Sequence, residues 1–462
     1  MTLEKEIACL RAENAELRQH VADLTEAVEE LEAALEAAQG QIEEVKKSKK
    51  EPPSWVKANK PKREGDKKPR RKRDAEHNRA RRREEPTRIV RHELERCPDC
   101  NYQLYRKKLG HRHQVIDIPP PAPVEVTEHQ AIKGWCPCCK KWKSPKLDLR
   151  QVVLGQGRIG LRVTSLIVYL RGVMRLPYRQ IQAYMQIQHQ MEISVGEVVG
   201  ILHRVRKASE EELEAMRSAM QASAAVYADE TGWREEGQNG YIWGFSVPGP
   251  NAIRYYHYNH SRSRWVVKGM LGGKFRGVLV SDFLGSYNIY DGPHQRCWAH
   301  LLRDLHKLKE EHPDKVEVIA WAKAVRQLYD EGQELVRATS PPDAQARQTK
   351  YITLLGRLEK LGQAHASTKG HPCKALAQRL LRHLDEMFQF VLHEEVSADN
   401  NLAERSLRPL VIARKISGGT RSESGSATRM ALASLVGTWL ARGQNPLEEC
   451  LTLLRKIPLP QV

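Results

Sequence analysis

The sequence predicts a multidomain α+β protein, and three observations carry that expectation. A seven-residue apolar repeat is confined to residues 3–45, a basic and almost apolar-free segment follows it, and helical patterning changes to strand patterning near residue 224. At 462 residues and 40% hydrophobic content the chain can form two to four domains with real cores. A net charge of +18 favours an anionic partner, nucleic acid or a membrane surface. No run of about 18 uninterrupted apolar residues occurs, so no membrane-spanning helix is expected. The start, "MTLEKEIACLRAENAELRQH", lacks the apolar stretch of a signal peptide, which predicts a cytoplasmic protein. Nine cysteines, several in close pairs, suit metal ligands and free thiols better than a secreted disulfide framework.

The repeat at 1–45 places Leu3, Leu10, Leu17, Leu24 and Leu31 in one column and Ile7, Asn14, Val21, Val28, Leu35 and Ile42 in the other. With leucine at d and mostly β-branched residues at a, it predicts a parallel two-stranded coiled coil whose register Asn14 sets. Glu6 and Glu13 then sit at g opposite Arg11 and Arg18 at e of the partner helix. An amphipathic helix packed on its own domain is the simpler alternative, but the seam persists for too many heptads to favour it. Residues 46–86 form a basic linker. Between 46 and 83 it holds 18 Lys and Arg against 5 acids, a net of +13. Such a segment has no core to form and is expected to be disordered when free. Its density of charge, including Arg70, Arg71, Lys72 and Arg73, suits phosphate-backbone binding without sequence preference.

Residues 87–150 contain "CPDC" and "CPCC". Cys97, Cys100, Cys136 and Cys139 have the spacing of a tetrahedral Zn²⁺ site, with Cys138 spare; the other reading is two unrelated reactive pairs. No general base lies nearby, so the zinc would be structural. Residues 151–222 read as helices. "LPYRQIQAYMQ", a polar turn and "VGEVVGILHRVRKA" fit a helix-turn-helix-like DNA-binding region presenting His203, Arg204, Arg206 and Lys207, although ordinary helix packing gives the same pattern.

From 224, "AAVYADETGWR", "GYIWGFSVP" and "AIRYYHYN" read as three strands. A helix around 262–271 follows, then "GVLVSDFLGSYN" as a fourth strand and "HQRCWAH" as a fifth, leading into a helix. Asp229 and Asp282 would each end a buried strand of one sheet, close enough to share divalent cations. A third acid would complete two Mg²⁺ sites, since Mg²⁺ prefers oxygen ligands. In "DNNLAERSLRPLVIARKISGG", helical spacing puts Asn400, Glu404, Arg408 and Lys415 on one face, which suits a metal beside a phosphodiester and equally suits a solvated face of Glu–Arg pairs. Glu230 rivals Asp229 and Asp399 rivals Glu404. Strand alternation forbids Asp229 and Glu230 from facing one metal together, and Asp399 would point about 140° away from Glu404 on a helix. Trp233 suits the core or a stacking platform for bases. Cys297 and His300 form a half-site for metal, with His371 and Cys373 only distant completions, so a structural or substrate-positioning role fits them better than zinc.

"DETGWR", "SDFLGSYN" with "CWAHLLRDL", and "DNNLAERSLRPLVIARKISGG", in that order, resemble the transposases of the insertion sequence 66 family. The resemblance covers nearly the whole chain. It implies a ribonuclease-H-like fold with an Asp-Asp-Glu triad, an N-terminal coiled coil, a zinc-binding segment and a helical DNA-binding region. Carried onto this sequence, the triad is Asp229, Asp282 and Glu404, which decides against both rivals. The core would be split between 223–304 and 397–462 around a helical insertion at 305–396. The resemblance implies a DNA transposase that uses two Mg²⁺ ions per active site, or Mn²⁺, for strand cleavage and strand transfer. The implied partners are double-stranded DNA, at element terminal repeats and target, a homodimer or higher oligomer, and small accessory proteins, in a bacterial, nucleoid-associated setting. A ribonuclease-H-like nuclease that cuts without joining, and an inert end-bridging protein, are the other readings.

Overall fold

The computed structural model describes residues 84–155, 157–338 and 342–456, together with Val21, Leu24, Thr25, Val28, Leu31 and Leu35. They fall into two units, residues 1–117 and 118–462. In the first unit the described heptad positions are helical, and Val21, Leu24, Val28, Leu31 and Leu35 are all exposed. The rest of the predicted coiled coil, Asn14 included, and Arg70, Arg71, Lys72 and Arg73 lie outside the described residues. The "CPDC" segment is a tight knuckle. Arg96 and Gln103 pair as an antiparallel bridge, and Asn101 takes the left-handed conformation (φ 59°) that lets its N–H reach the Cys97 carbonyl at 2.8 Å.

The second unit opens on a matching knuckle. Strands β1 (Gly134–Cys136) and β2 (Lys141–Lys143) pair antiparallel, and Lys140 takes the left-handed position (φ 47°). Four helices follow: α1 (Leu161–Gly172), α2 (Tyr178–His189), α3 (Val195–Ala208) and α4 (Glu210–Gln221). The predicted helix, polar turn and second helix are α2 and α3. Ser194 caps α3 by accepting the Glu197 N–H at 3.0 Å, and Arg206 and Lys207 occupy its last turn, both favourable to the helix dipole.

The sheet has five strands in the order β5-β4-β3-β6-β7: β3 (Ala225–Glu235), β4 (Gln238–Val247), β5 (Ile253–Asn259), β6 (Val278–Ser281) and β7 (His294–Arg296). β3, β4 and β5 are antiparallel neighbours, whereas β6 and β7 run parallel to β3. Helix α5 (Arg264–Leu271) makes the crossover from β5 to β6. Two expectations need correcting. β3 does not end at Asp229 but continues to Glu235, because its antiparallel partner β4 extends that far. β7 stops at Arg296, and Cys297 is the N-cap of α6 (Trp298–Glu311), so the "CWAH" residues belong to a helix.

Alternation along the strands sorts the two faces. Val226, Ala228 and Leu279 face a core shared with α1–α4, α12 (Glu423–Ala441) and α13 (Pro446–Lys456). Ala225, Tyr227, Val278 and Val280 face a second core, built with α6, α7 (Val316–Val336), α8 (Ala344–Ala366), α9 (Lys374–Arg382) and α10 (Gln389–Leu392). On this same face Trp233, Ile242 and Tyr256 meet Leu407 and Leu410 of α11 (Asn401–Ser417). α12 covers part of the β5 edge: Thr438 and Ser434 hydroxyls accept the outward Arg254 and Tyr256 N–H groups at 2.9 Å each, which takes those two positions out of any pairing with another chain.

Candidate active site

β3 and β6 pair in parallel at Ala225–Val278, Val226–Leu279 and Tyr227–Val280, and continuing that offset sets Asp229 beside Asp282. Both acids carry the parity of Tyr227 and Val280, so both point to the face that the insertion and α11 cover. Along β3, Ala225 and Tyr227 belong to one apolar patch on that face and Trp233 to the other. Asp229 occupies the gap between them. Burial, then the charges of Glu230, Asp282 and Glu404, push its carboxyl up to about 7, against a small opposing effect of the Glu230 N–H. Asp282 and Glu404 therefore lie near enough to raise the cost of ionising Asp229.

Glu230 has the opposite parity and is already committed. Its side chain is only 3% exposed, its Oε1 accepts from Arg262 Nε at 3.1 Å, and its Oε2 accepts from the Tyr287 hydroxyl at 2.6 Å. Asp399 is likewise engaged, with Oδ1 accepting the Asn401 N–H at 3.0 Å ahead of α11. Glu230 and Asp399 are thus each held by bonds of their own.

Three hydrogen bonds tie the chain segments that carry the acids. The Cys297 N–H donates to the Ser281 carbonyl at 2.8 Å, the Asn400 N–H donates to Cys297 Sγ at 3.2 Å, and Asn400 Nδ2 donates to the Ala228 carbonyl at 2.7 Å. Ser281 precedes Asp282, Ala228 precedes Asp229, and Asn400 lies one helical turn before Glu404. Asn400 and Cys297 are both fully buried. Cys297 thus acts as a joint between β6, α6 and α11, and burial pushes its thiol up. His300, one turn into α6, comes close as well: a ring nitrogen of His300, Cys297 Sγ and a Glu404 oxygen lie within 4.8 Å of one another, while His300 Nδ1 is buried without a protein partner among the described residues.

Gly244 lets α11 sit close. It is the register partner of Asp229 on β4, and a Cβ there would meet Leu407 Cδ2 at 2.9 Å. The glycine in the interior of "YIWGFSV" is the signal that could have revealed this contact, since strand glycines often mark close approach. Behind Asp282, the fully buried Arg296 donates to the Asp282 carbonyl at 2.9 Å and pairs with Glu386. Burial and then its His383 and Arg296 partners leave Glu386 at about 2, the partners outweighing the burial. Isolated arginines and tyrosines such as Arg296, Arg262 and Tyr287 carry no sequence spacing that marks them, and sequence reasoning missed all three.

The predicted DNA contacts are mostly separate from this cluster. Arg204 and Lys207 are exposed on α3, with Arg204 paired to Glu197 at 2.6 Å. Arg206 lies 3.9 Å from Glu210, and His203 turns inward to the Thr428 hydroxyl at 2.7 Å. Arg408 and Lys415 are exposed along α11 beyond Glu404. Trp233 is core, 2% exposed, with its indole N–H on Thr420 Oγ1 at 3.0 Å. Cys97 and Cys100 lie in the first unit and Cys136 and Cys139 in the second. In each knuckle, backbone N–H groups hold the first thiol (Cys97, Cys136) below its ordinary pKa, as suits a thiolate ligand. His371 and Cys373 do not complete the Cys297–His300 pair; they gather instead with His365.

Two curated relatives come from Sinorhizobium fredii (strain NBRC 101917 / NGR234). The uncharacterized protein y4jO is 30% identical over 173 residues, covering 37% of this chain and 49% of that protein. The uncharacterized protein y4qI is 28% identical over 209 residues, covering 42% of this chain and 38% of that protein. The chain thus spans half or less of the length of either relative. A family profile, "Transposase IS66 family", matches residues 156–428, more than half of the chain and a range that contains Asp229, Asp282 and Glu404. The chain belongs to the IS66 transposase family.

Proposed function

We propose that this chain is a DNA transposase of the Asp-Asp-Glu type, with Asp229, Asp282 and Glu404 as its catalytic acids. One observation carries the reading: these three carboxylates converge on one face of the sheet, and Asp229 is pushed up to about 7 by burial and by its acidic neighbours. Clustered hard oxygen donors with excess negative charge fit Mg²⁺ or Mn²⁺, two per site. When bound, such ions would stabilise charge on a phosphodiester and lower the pKa of attacking water. The chain's own part is to hold the acids in register, through the Ser281–Cys297–Asn400–Ala228 bonds, and to keep Glu230 out of the site on Arg262 and Tyr287. The sheet order, with β3 central and flanked by antiparallel β4 and parallel β6, supports the ribonuclease-H-like reading. The reaction proposed is hydrolysis at an element end, followed by attack of the freed 3′-hydroxyl on target DNA.

Arg408 and Lys415 on α11, Arg204 and Lys207 on α3, and the basic linker are proposed as phosphate contacts. The exposed apolar positions from Val21 to Leu35 suit a parallel coiled coil between two copies, and the four knuckle thiols suit a structural Zn²⁺. Candidate element ends incubated with the full-length protein and Mg²⁺ or Ca²⁺, followed by mapping of nicks, test the reading. Nicks at the ends in Mg²⁺ and joined products with precut ends are expected. Cleavage without joining would leave a nuclease, and binding without cleavage an end-bridging protein.

A further inference from the structure

We infer that helix α5 carries a contact surface for an unpaired DNA strand, with Trp265 as the platform on which a base stacks and Arg264 and Lys268 as contacts to the phosphates on either side. The inference rests on the reading of this chain as a DNA transposase, to which it adds a surface and a strand form. Trp233, the stacking residue weighed from the sequence, is buried. Trp265 is 60% exposed, although it stands on a helix whose Val266, Val267, Met270 and Leu271 are all buried. Leaving so large an apolar ring in water forgoes the burial that its neighbours obtain.

Charge selects the partner. Between Glu236 and Asp282 the chain has six Lys and Arg and no acid. Five of the six, Arg262, Arg264, Lys268, Lys274 and Arg276, are exposed. Arg262 is committed to Glu230. Arg264 and Lys268 form no salt bridge among the described residues and lie against the Trp265 ring instead, 5.3 and 5.4 Å from its centroid. An aromatic ring beside cations that no acid neutralises suits bases and phosphates together. Both cations are exposed and on flexible stems, so phosphates draw them off the ring and open its face to a base. A second copy of the chain would meet this patch with the same positive charge. A duplex keeps its base faces stacked on one another, whereas an unpaired strand offers them to a projecting ring. Ser286 Oγ, in the turn after Asp282, donates to the Arg262 carbonyl at 2.6 Å, and Arg262 holds Glu230 next to Asp229. α5 thus begins at the segments that carry two of the acids, and a strand freed by cutting there is the unpaired strand this surface fits.

The test is binding of the full-length protein, in Ca²⁺, to two labelled element ends, one fully paired and one with about five unpaired nucleotides at its terminus. Wild type should favour the partly unpaired end. Trp265→Ala should weaken that complex about 5- to 100-fold and leave the paired complex unchanged, and Trp265→Phe should restore most of the loss. Arg264→Gln/Lys268→Gln should flatten the salt dependence for the partly unpaired end by about 0.7 of a unit of slope per lost phosphate contact. 2-Aminopurine in the unpaired strand should be quenched by wild type and not by Trp265→Ala. Equal losses on both ends, or no loss in Trp265→Ala, would overturn this inference alone. Wild type that binds neither end would remove the transposase reading and the inference with it. A subunit count that falls in Trp265→Ala without DNA would assign the ring to a contact between copies and overturn the inference too. If Trp265→Ala does not fold, the double cation variant decides by the same comparison of ends.

Discussion

Replacing Asp229 by Asn isolates the electrostatic tension of the acid cluster. The folded carboxyl titrates at about 7, whereas an unfolded one titrates near about 3.9. The folded state holds the proton more tightly, so the contribution of protonated Asp229 is fully present below about pH 4 and is lost as pH rises through about 7. A gap of about three units, at about 1.4 kcal/mol each, sets a ceiling of about 4 kcal/mol of destabilisation at pH 8 without a cation. About 1.5 kcal/mol of it already applies at pH 5, so the pH-dependent part between 5 and 8 is about 2–3 kcal/mol. Asn keeps the shape and removes the charge. In chelator, urea unfolding at pH 5, 6, 7 and 8 should therefore show D229N gaining on wild type by about 2–3 kcal/mol across the range. Adding Mg²⁺ at pH 8 should narrow the gap, because the ion replaces the proton in wild type only. A gap that is flat from pH 5 to 8, or a D229N protein less stable than wild type at pH 8, would refute the proposed cluster.

Asp282→Asn and Glu404→Gln should each lower nicking of element ends by about two orders of magnitude or more while gel-shift affinity for DNA holds. Near-wild-type nicking by Glu404→Gln alongside a dead Asp399→Asn would reassign the third acid. Asn400→Ala, which removes a buried hydrogen bond to the Ala228 carbonyl, should cost about 1–3 kcal/mol in urea unfolding and lower cleavage more than DNA binding. Gly244→Ala should cost a similar amount, about 1–3 kcal/mol, by driving Leu407 and α11 off the sheet. Removing residues 1–45 should reduce the subunit count in light scattering and weaken pairing of two DNA ends more than binding of one. An unchanged count would assign the dimer contact elsewhere.

Asp229 and Asp282 stand out in the sequence because each follows an apolar run; strand parity says only that Asp229 and Glu230 face opposite sides, and the choice of Asp229 and Glu404 over their rivals rests on the family resemblance. The succession of the first four strands along the chain was legible too, since each shows a β-rich pattern between turn residues, whereas their order in the sheet was not. What the sequence concealed is long-range. Nothing in the spacing of Ser281, Cys297, Asn400 and Ala228 reveals that they bond, because the segments meet only once the sheet and two helices are assembled. β3 outran its expected end at Asp229 because pairing with β4, not local propensity, decides where it stops. The histidine cluster of the insertion was half seen: His371 and Cys373 stood out, whereas His365 sits a turn and a loop away and is joined to them by the fold.

The two faces of the central strand explain how adjacent acids acquire different roles. Asp229 and Glu230 are neighbours in sequence, yet Glu230 bonds a cation and a phenol while Asp229 lies in the field of Asp282 and Glu404. A buried carboxylate with an Arg262 partner can stay ionised and serve as a brace for the turn that carries Tyr287. A buried carboxylate whose neighbours are acidic instead draws a proton or a cation. The side of the sheet decides which, and the sheet's other residues have already divided the sides. Ala225, Tyr227 and Trp233 commit their face to the insertion and α11, while Val226 and Ala228 commit theirs to the helices before the sheet. Moving the "DE" pair one residue towards the C-terminus would put the aspartate at 230, among Arg262 and Tyr287, and the glutamate at 231, two residues beyond the position beside Asp282. The shift would leave the number of acids unchanged and disperse the cluster, so register, more than that number, sets the chemistry this site can do.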